Sequence, residues 1–266
     1  MPSALAIAAH PDDIEFVMAG TLLLLRDAGW TIHCFNLSNG NMGSTVMAAA
    51  QTARTRRDEA KAAAKLMDAQ WHAPICNDLA IFYTEENIRR VCAVVRAARP
   101  SVVLTHALQD YMEDHMITAR LAVTAAFTRG VPSYRSQPSR KPCLDPCVIY
   151  HAMPHGQRTP TRRRVFPEAF VDTTGVHARK RAALACHASQ KEWLDKTQGM
   201  DSYLRTMDEF STALGRQSRR FSQAEGWVRH LHYGFGNEKD DPLRTMLGTR
   251  HRVNPAFVRA NERGDA

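Results

Sequence analysis

Residues 4–13 read ALAIAAHPDD, an unbroken apolar run that stops at a histidine, a proline and two aspartates. Six consecutive apolar residues are typical of a strand that is covered on both faces in a parallel sheet. The apolar residues that follow recur at helical spacing from about Ile14 to Ala28, and Gly29 is suited to the end of a helix. This part of the chain therefore predicts a buried strand, a polar turn and a helix.

The same alternation of strand and helix continues to residue 128. Further strands are predicted at 31–37, near 71–75 and at 101–105, and further helices at 46–69, 84–99 and 115–128. Such alternation predicts an α/β fold, a Rossmann-like sandwich with a mainly parallel sheet.

The second half of the chain is less regular. Short strands are predicted at 148–151 and 169–171, and helices at 178–188 and 202–213. We expect residues 1–240 to form a single α/β domain, in which this less regular C-terminal part completes the same domain. The last residues are rich in Arg, Asn, Asp and Gly, so residues 241–266 are expected to form a loosely held tail.

The charge of the chain is uneven. The formal net charge is +8, and residues 1–130 contribute −1 while residues 131–266 contribute +9. Clusters such as Arg162–Arg164 are typical of solvated surface, so no nucleic-acid partner is predicted. We find no apolar run of about 18 residues and no signal peptide, which predicts a cytoplasmic protein without a membrane span. Whether the chain forms a homo-oligomer remains open.

Candidate metal ligands follow two of the predicted strands. His10 and Asp13 lie three residues apart on a turn stiffened by proline, and His115 follows the strand at 101–105. Functional groups in open parallel sheets gather beyond the carboxyl ends of the strands. Imidazole and carboxylate are common ligands of divalent metals. An isolated His-x-x-Asp is usually a capping or surface arrangement, but the strand before it and the second histidine favour one metal site.

At these residues the chain resembles the PIG-L/LmbE-type metal-dependent N-deacetylases of amino-sugar conjugates. The resemblance covers about residues 4–227. It is carried by Ala9–Asp13 with Glu15-Phe16 and Ala19–Leu22, by Asn39-Gly40, Arg56-x-x-Glu59, Asp114-His115, Ser189-Gln190 and Ala224-Glu225-Gly226.

The resemblance implies a role for each matching residue. It implies that His10, Asp13 and His115 bind one divalent ion, zinc or iron(II), and that Asp12 is the general base. It further implies that Arg56 contacts the substrate and that Asn39 and Gly40 form part of the pocket wall. The sequence contains no glycine-rich nucleotide fingerprint, so no organic cofactor is expected.

One block departs from the family pattern. The family commonly has His-Pro-Asp-His where this chain has Met112-Glu113-Asp114-His115. A thioether cannot donate a hydrogen bond to a developing oxyanion, so we expect another donor. The candidates are His232 from the C-terminal segment, which we favour, and His106. Asp110 lies in the same loop as His106 and is a candidate for substrate binding or for orienting a ligand.

These observations predict a zinc- or iron-dependent hydrolase that acts on a small molecule. It would remove an acetyl or other acyl group from the nitrogen of an amino-sugar conjugate, by metal-activated water with Asp12 as the base. Two alternatives remain open. One is metal-assisted hydrolysis of a non-sugar amide, and the other is a non-catalytic sugar- or anion-binding protein on the same scaffold.

Overall fold

The apolar run at residues 4–9 lies inside an eight-stranded sheet. The computed structural model describes residues 1–190 and 203–263. The strands are β1 Ser3–Ala8, β2 Thr31–Asn36, β3 Gln70–His72, β4 Val102–Thr105, β5 Val148–Ala152, β6 Ala169–Asp172, β7 Ala224–Arg229 and β8 His251–Val253. Their order in the sheet is β3-β2-β1-β4-β5-β7-β6-β8. The first five strands in this order are mutually parallel, and the last three pair antiparallel.

Helices cover both faces of the sheet. They are α1 Asp13–Val17, α2 Ala19–Asp27, α3 Ala49–Leu66, α4 Glu85–Ala98, α5 Glu113–Thr128, α6 His177–Leu184, α7 Tyr203–Ser218, α8 Pro242–Leu247 and α9 Pro255–Arg263. Alternate residues of β1 point into two different cores. Ala4, Ala6 and Ala8 pack with α2, whereas Leu5 and Ile7 pack with α4 and α5. Burial on both faces explains why β1 is apolar throughout, and the predicted α/β fold with a mostly parallel sheet is confirmed.

The predicted helix over residues 14–28 is divided in two. The break falls at Met18, whose backbone (φ −130°, ψ −21°) is not helical. Beyond it, the backbone N–H groups of Gly20 and Thr21 donate to the carboxylate of Glu225, at 2.8 and 2.7 Å. Glu225 lies on β7, which has no counterpart among the predicted strands, and its negative charge caps the amino end of α2.

The C-terminal segment differs from the loosely held tail that its composition predicts. Leu243 and Leu247 on α8 are buried in the same core as α2, and β8 pairs antiparallel with β6. Two leucines four residues apart suffice to anchor this short helix, although most residues around them are polar. Strands β5 to β8 thus extend the sheet begun by the first half. No helix among the described residues is long and apolar enough to cross a membrane.

Candidate active site

Two loops meet at the carboxyl edge of the parallel strands. One follows β1 and contains His10–Asp13, and the other follows β4 and leads to His115 on α5. Ile7 of β1 is in register with Thr105 of β4, so the two loops leave the sheet side by side. Together with residues from several other elements they line a cavity of about 450 Å³. The structure therefore brings the sequence-predicted metal ligands together.

The proposed ligands have a spacing that suits a divalent ion. His10 Nδ1 lies 3.3 Å from Asp13 Oδ2, and His115 Nε2 lies 3.5 Å from Asp13 Oδ1. The three ligand atoms all lie within 4.8 Å of one another. Ligand atoms about 2.0–2.1 Å from a tetrahedral zinc ion are themselves about 3.3 Å apart. Two imidazoles and one carboxylate thus lie at a spacing close to that of the ligands of such an ion.

Two further aspartates orient the imidazoles. His10 Nε2 is 3.0 Å from Asp114 Oδ2, and His115 Nδ1 is 3.0 Å from Asp110 Oδ1. Because a carboxylate only accepts, the nitrogen that faces Asp114 or Asp110 carries a hydrogen, and the other nitrogen of each ring, on the side of Asp13, is the one that would bind an ion. Metal-binding histidines are typically held in this way. Asp110 therefore contacts the ring of His115, and its role in orienting a ligand or binding a substrate stays a prediction.

The electrostatics of the cluster favour a cation. Burial opposes protonation of His10, but hydrogen bonds to Asp114 and Asp13 outweigh this effect and raise its pKa to about 10. Burial likewise opposes ionisation of Asp13, yet His115 and His106 hold the pKa of that carboxyl well below its usual range. The ionised carboxylate of Asp13 is therefore stabilised by positive charge beside it in the cavity.

His106 lies beside the cluster but is engaged elsewhere. Its ring stacks on His115 with centroids 4.2 Å apart, and its Nε2 accepts the backbone N–H of Ala9 at 2.9 Å. The atoms of His106, Asp110 and His115 also lie close enough to form a second candidate metal group. However, His106 Nε2 already accepts the N–H of Ala9, and His115 Nδ1 already donates to Asp110. These contacts favour the group of His10, Asp13 and His115.

Asp12 lies beside this group with different partners. Its carboxylate accepts a hydrogen bond from Tyr203 Oη at 2.7 Å and one from Arg56 Nη2 at 3.4 Å. Burial raises the pKa of Asp12 to about 6, against the opposing effect of Arg56. The side chain lines the cavity, yet it does not belong to the candidate metal groups.

Arg56 is a buried support for the turn after β1. Its guanidinium donates to the carbonyl oxygens of Pro11 at 2.5 Å and Gly40 at 3.3 Å, in addition to Asp12. It also lines the cavity, and its contact with a substrate stays a prediction. Gly40, with φ +73°, lies beneath this side chain and leaves no room for a Cβ atom.

The pocket wall differs from the prediction. Met42 and Gly43 line the cavity, whereas Asn39 and Gly40 do not. The amide of Asn39 donates to Asn77 Oδ1 instead, at 2.7 Å. The chain after β2 turns at Gly40, and this turn directs Asn39 away from the cavity and the next residues toward it.

His232 does not reach the site. Strand β7 runs antiparallel to β5, so the residues after β7 leave the sheet at the amino end of β5, opposite the site. His232 lines a second cavity of about 520 Å³ together with Cys147 and Val148. Its predicted role as the oxyanion donor is therefore wrong, because the prediction did not include an antiparallel strand.

Three residues at the site have roles that the sequence did not predict, namely Asp114, Tyr203 and His155. Asp114 directly precedes His115 in the chain, and an aspartate next to one ligand can hydrogen-bond another, as Asp114 does with His10. Tyr203 begins α7, and no local signal connects it to Asp12. His155 follows β5 and lines the cavity, and a histidine just beyond a predicted strand was a signal that could have found it.

Comparison with known proteins relates the chain to two kinds of enzyme. Residues 5–126 match the family described as PIG-L: GlcNAc-PI de-N-acetylase. Over 197 residues the chain is 30% identical to the 4-oxalmesaconate hydratase of Pseudomonas putida, covering 71% of this chain and 74% of that protein. Over 209 residues it is 28% identical to the diacetylchitobiose deacetylase of Thermococcus kodakarensis, covering 76% and 75%.

The fold is similar to that of a solved hydratase. The crystal structure of the 4-carboxy-2-hydroxymuconate hydratase from Pseudomonas putida has a TM-score of 0.74 and 25% sequence identity, covering 91% of this chain and 99% of that one. The similarity thus extends well into the second half of the chain. The chain belongs to the PIG-L family, which contains deacetylases and hydratases.

Proposed function

We propose that this protein is a divalent-metal-dependent hydrolase that removes an N-acyl group, most simply acetyl, from an amino-sugar conjugate. One observation carries the proposal. A carboxylate outside the candidate metal group, that of Asp12, is held beside His10, Asp13 and His115 in the same cavity. Amide hydrolysis needs this combination, since one group must bind the ion while a separate base manages protons.

The residues divide the chemistry between them. An ion held by His10, Asp13 and His115 would acidify water from a pKa of about 15.7 toward about 7 and polarise the amide carbonyl. Asp12 accepts a proton from the attacking water and returns it to the departing nitrogen, which is a poor leaving group unless protonated. Arg56 and Tyr203 hold the carboxylate of Asp12 in place during both transfers.

The cavity wall supports an acyl group without charge. Phe16, Val17, Leu79 and Met153 give it apolar surface. Among the described lining residues, Arg56 supplies the one Lys or Arg side chain, and it is already bonded to Asp12 and to two carbonyl oxygens. A neutral acetamide suits such a wall better than a substrate with several carboxylates.

A second candidate is the addition of water to the double bond of an unsaturated acid. It is favoured by the 30% identity to the 4-oxalmesaconate hydratase and by the match to a solved hydratase along 99% of its chain. Hydration uses the same parts, namely activated water, a base and a Lewis acid near a carbonyl. The two candidates therefore differ in substrate and not in the residues required.

The test compares both reactions in one preparation. Protein loaded with zinc or iron(II) is incubated with N-acetylglucosamine, N,N′-diacetylchitobiose, N-acetylated glycoconjugates and a non-sugar acetamide, and acetate and free amine are quantified. A parallel assay follows the ultraviolet absorbance of unsaturated oxo acids. We expect equimolar acetate and amine from a sugar substrate, lost in His115→Ala protein. Loss of absorbance without acetate would establish the hydratase, and sugar binding without either product would indicate a binding protein.

A further inference from the structure

His155 enters the cavity from a third strand. Strands β4 and β5 are parallel neighbours, so the carboxyl end of β5 opens at the same edge as the loops that hold the candidate metal group. The chain leaves β5 through Met153 and Pro154, and the His155 side chain lines the cavity together with Asp12 and His115. Gly156, with φ +70°, then turns the chain away.

Aromatic side chains hold the ring of His155. Its centroid lies 4.9 Å from that of Phe16, 5.9 Å from that of Tyr111 and 6.1 Å from that of Phe210, to which it is nearly parallel. No hydrogen bond joins its ring nitrogens to a side chain of residues 1–190 or 203–260. The ring is thus fixed by packing, while its N–H remains available to a molecule in the cavity.

His155 shares the cavity with Asp13, Asp110 and His115. Burial lowers the pKa of its imidazole, against the opposing effect of the Asp110 and Asp13 carboxylates. A ring that is neutral near pH 7 carries one N–H and can donate one hydrogen bond without adding charge to the site.

Other candidates for an oxyanion donor are less suited. Met112 has no donor, His232 lines a different cavity, and His106, whose Nε2 accepts the N–H of Ala9, keeps its one N–H at Nδ1 on a ring stacked against His115. The phenol of Tyr111 remains as a competitor, since it lines the same cavity. Tyr111 is 59% exposed, whereas His155 is only partly exposed, which places the phenol nearer the mouth of the cavity.

We propose that His155 donates a hydrogen bond to the substrate carbonyl oxygen and takes the place of the histidine that Met112 replaces. This inference rests on the proposed function. As the water oxygen bonds to the carbonyl carbon, the π electrons move onto the carbonyl oxygen and the proton of the water passes to Asp12. His155 keeps its proton and stabilises the charge that develops on the carbonyl oxygen.

The test separates hydrogen bonding from packing. His155→Phe keeps an aromatic ring among its neighbours but removes the donor, and His155→Gln restores an N–H without the ring. We expect His155→Phe to lower kcat about 10²–10³-fold, the typical cost of one lost oxyanion donor, with unchanged metal content. His155→Gln should recover at least tenfold of that loss. His232→Phe is the matched control, and its kcat should stay within about threefold of wild type.

A second readout does not require the natural substrate. Methylphosphonate has the tetrahedral, anionic shape of the intermediate, and its binding to metal-loaded protein is measured by calorimetry. We expect His155→Phe to bind it at least tenfold more weakly, with partial recovery in His155→Gln. If His155→Phe binds as tightly as wild type, or if only Tyr111→Phe weakens binding, His155 is not the donor. If wild type releases no acetate but binds methylphosphonate in a way that depends on His155, the deacetylase function is rejected and the role of His155 as a donor is retained.

Discussion

Tyr203 Oη donates a 2.7 Å hydrogen bond to Asp12 Oδ2 across 191 residues of chain. The contact brings the first residue of α7 onto the turn after β1, where Asp12 has a φ of +107°, in a region that favours glycine. Such a backbone costs about 1–3 kcal/mol and persists only when surrounding contacts hold it. Tyr203, stacked on Phe16, is one of these contacts.

Tyr203→Phe should therefore leave Asp12 less well positioned. We expect kcat to fall roughly tenfold, equivalent to about 1.4 kcal/mol, while metal content stays unchanged. Steady-state kinetics and metal analysis check this. Tyr134→Phe is the matched control, because the buried hydroxyl of Tyr134 has no hydrogen-bond partner among the described residues. Equal activity of both variants would show that the contact with Tyr203 does not position Asp12.

Asp12→Asn tests the base itself. Asparagine keeps the shape of the side chain but loses the basic oxygen, so activity should fall about 10²–10⁴-fold, the usual effect of general acid–base catalysis. The metal should be retained, because Asp12 lies outside the candidate metal group. Kinetics and metal analysis of the same preparation are compared. Loss of the metal would instead assign Asp12 to the binding of the ion.

The aspartates behind the imidazoles should tune metal affinity. Asp114→Asn and Asp110→Asn each remove a carboxylate that orients a ligand, so we expect affinity for zinc to fall about 10–100-fold. His115→Ala should lower it further, since a ligand is lost. Competition with a chromogenic chelator measures these affinities. Glu113→Gln removes a charge from the same cavity wall and should change affinity little; an equal loss in that variant would indicate a general charge effect.

The sequence was sufficient to predict the parts of the site that follow from local order. His10 and Asp13 come directly after one buried strand, and His115 lies in the first turn of the helix that follows another buried strand. Parallel pairing of the two strands therefore brings these residues to the same edge of the sheet. Tyr203 and His232 could not be placed in this way. Their positions depend on pairing between distant segments, and one antiparallel strand, β7, reverses the direction in which His232 leaves the sheet.

The role of Glu225, in the block Ala224-Glu225-Gly226, also could not be predicted from the sequence. This block is one of those that carry the resemblance to a family of enzymes, yet the carboxylate of Glu225 caps α2 and pairs with Lys180. A sequence pattern identifies a position that matters for the family but not whether it matters for catalysis or for folding. Only the burial and the partners of Glu225 distinguish the two.

His33 should make stability depend on pH. Burial, together with His72, lowers the pKa of His33 from 6.5 to about 4. Between these two values the unfolded chain binds more protons than the folded one, so the free energy of unfolding falls as the pH drops through this window. We expect His33→Gln to lose less stability than wild type between pH 7 and pH 5 in urea denaturation. An identical loss in both proteins would exclude this contribution.

The buried pair of Lys180 and Glu225 should be essential for stability. Lys180 Nζ lies 2.7 Å from Glu225 Oε1, with side chains 0% and 2% exposed. Lys180→Met would leave a buried carboxylate with two backbone N–H partners and no counter-charge, which costs about 3–5 kcal/mol. Urea denaturation at pH 7 measures the loss.

The adjacent Arg179 provides a matched control. Its ion pair with Asp27 is 46% exposed on both sides, and such pairs are worth about 0–1 kcal/mol. The free energy of unfolding of Arg179→Met should therefore remain within about 1 kcal/mol of that of wild type. The double variant Lys180→Met with Glu225→Gln should recover part of the stability lost in Lys180→Met, because the uncompensated charge is removed. Its glutamine still gives the cap of α2 one acceptor. If Lys180→Met were as stable as Arg179→Met, burial of the Lys180–Glu225 pair would not determine how much the pair contributes to the free energy of unfolding.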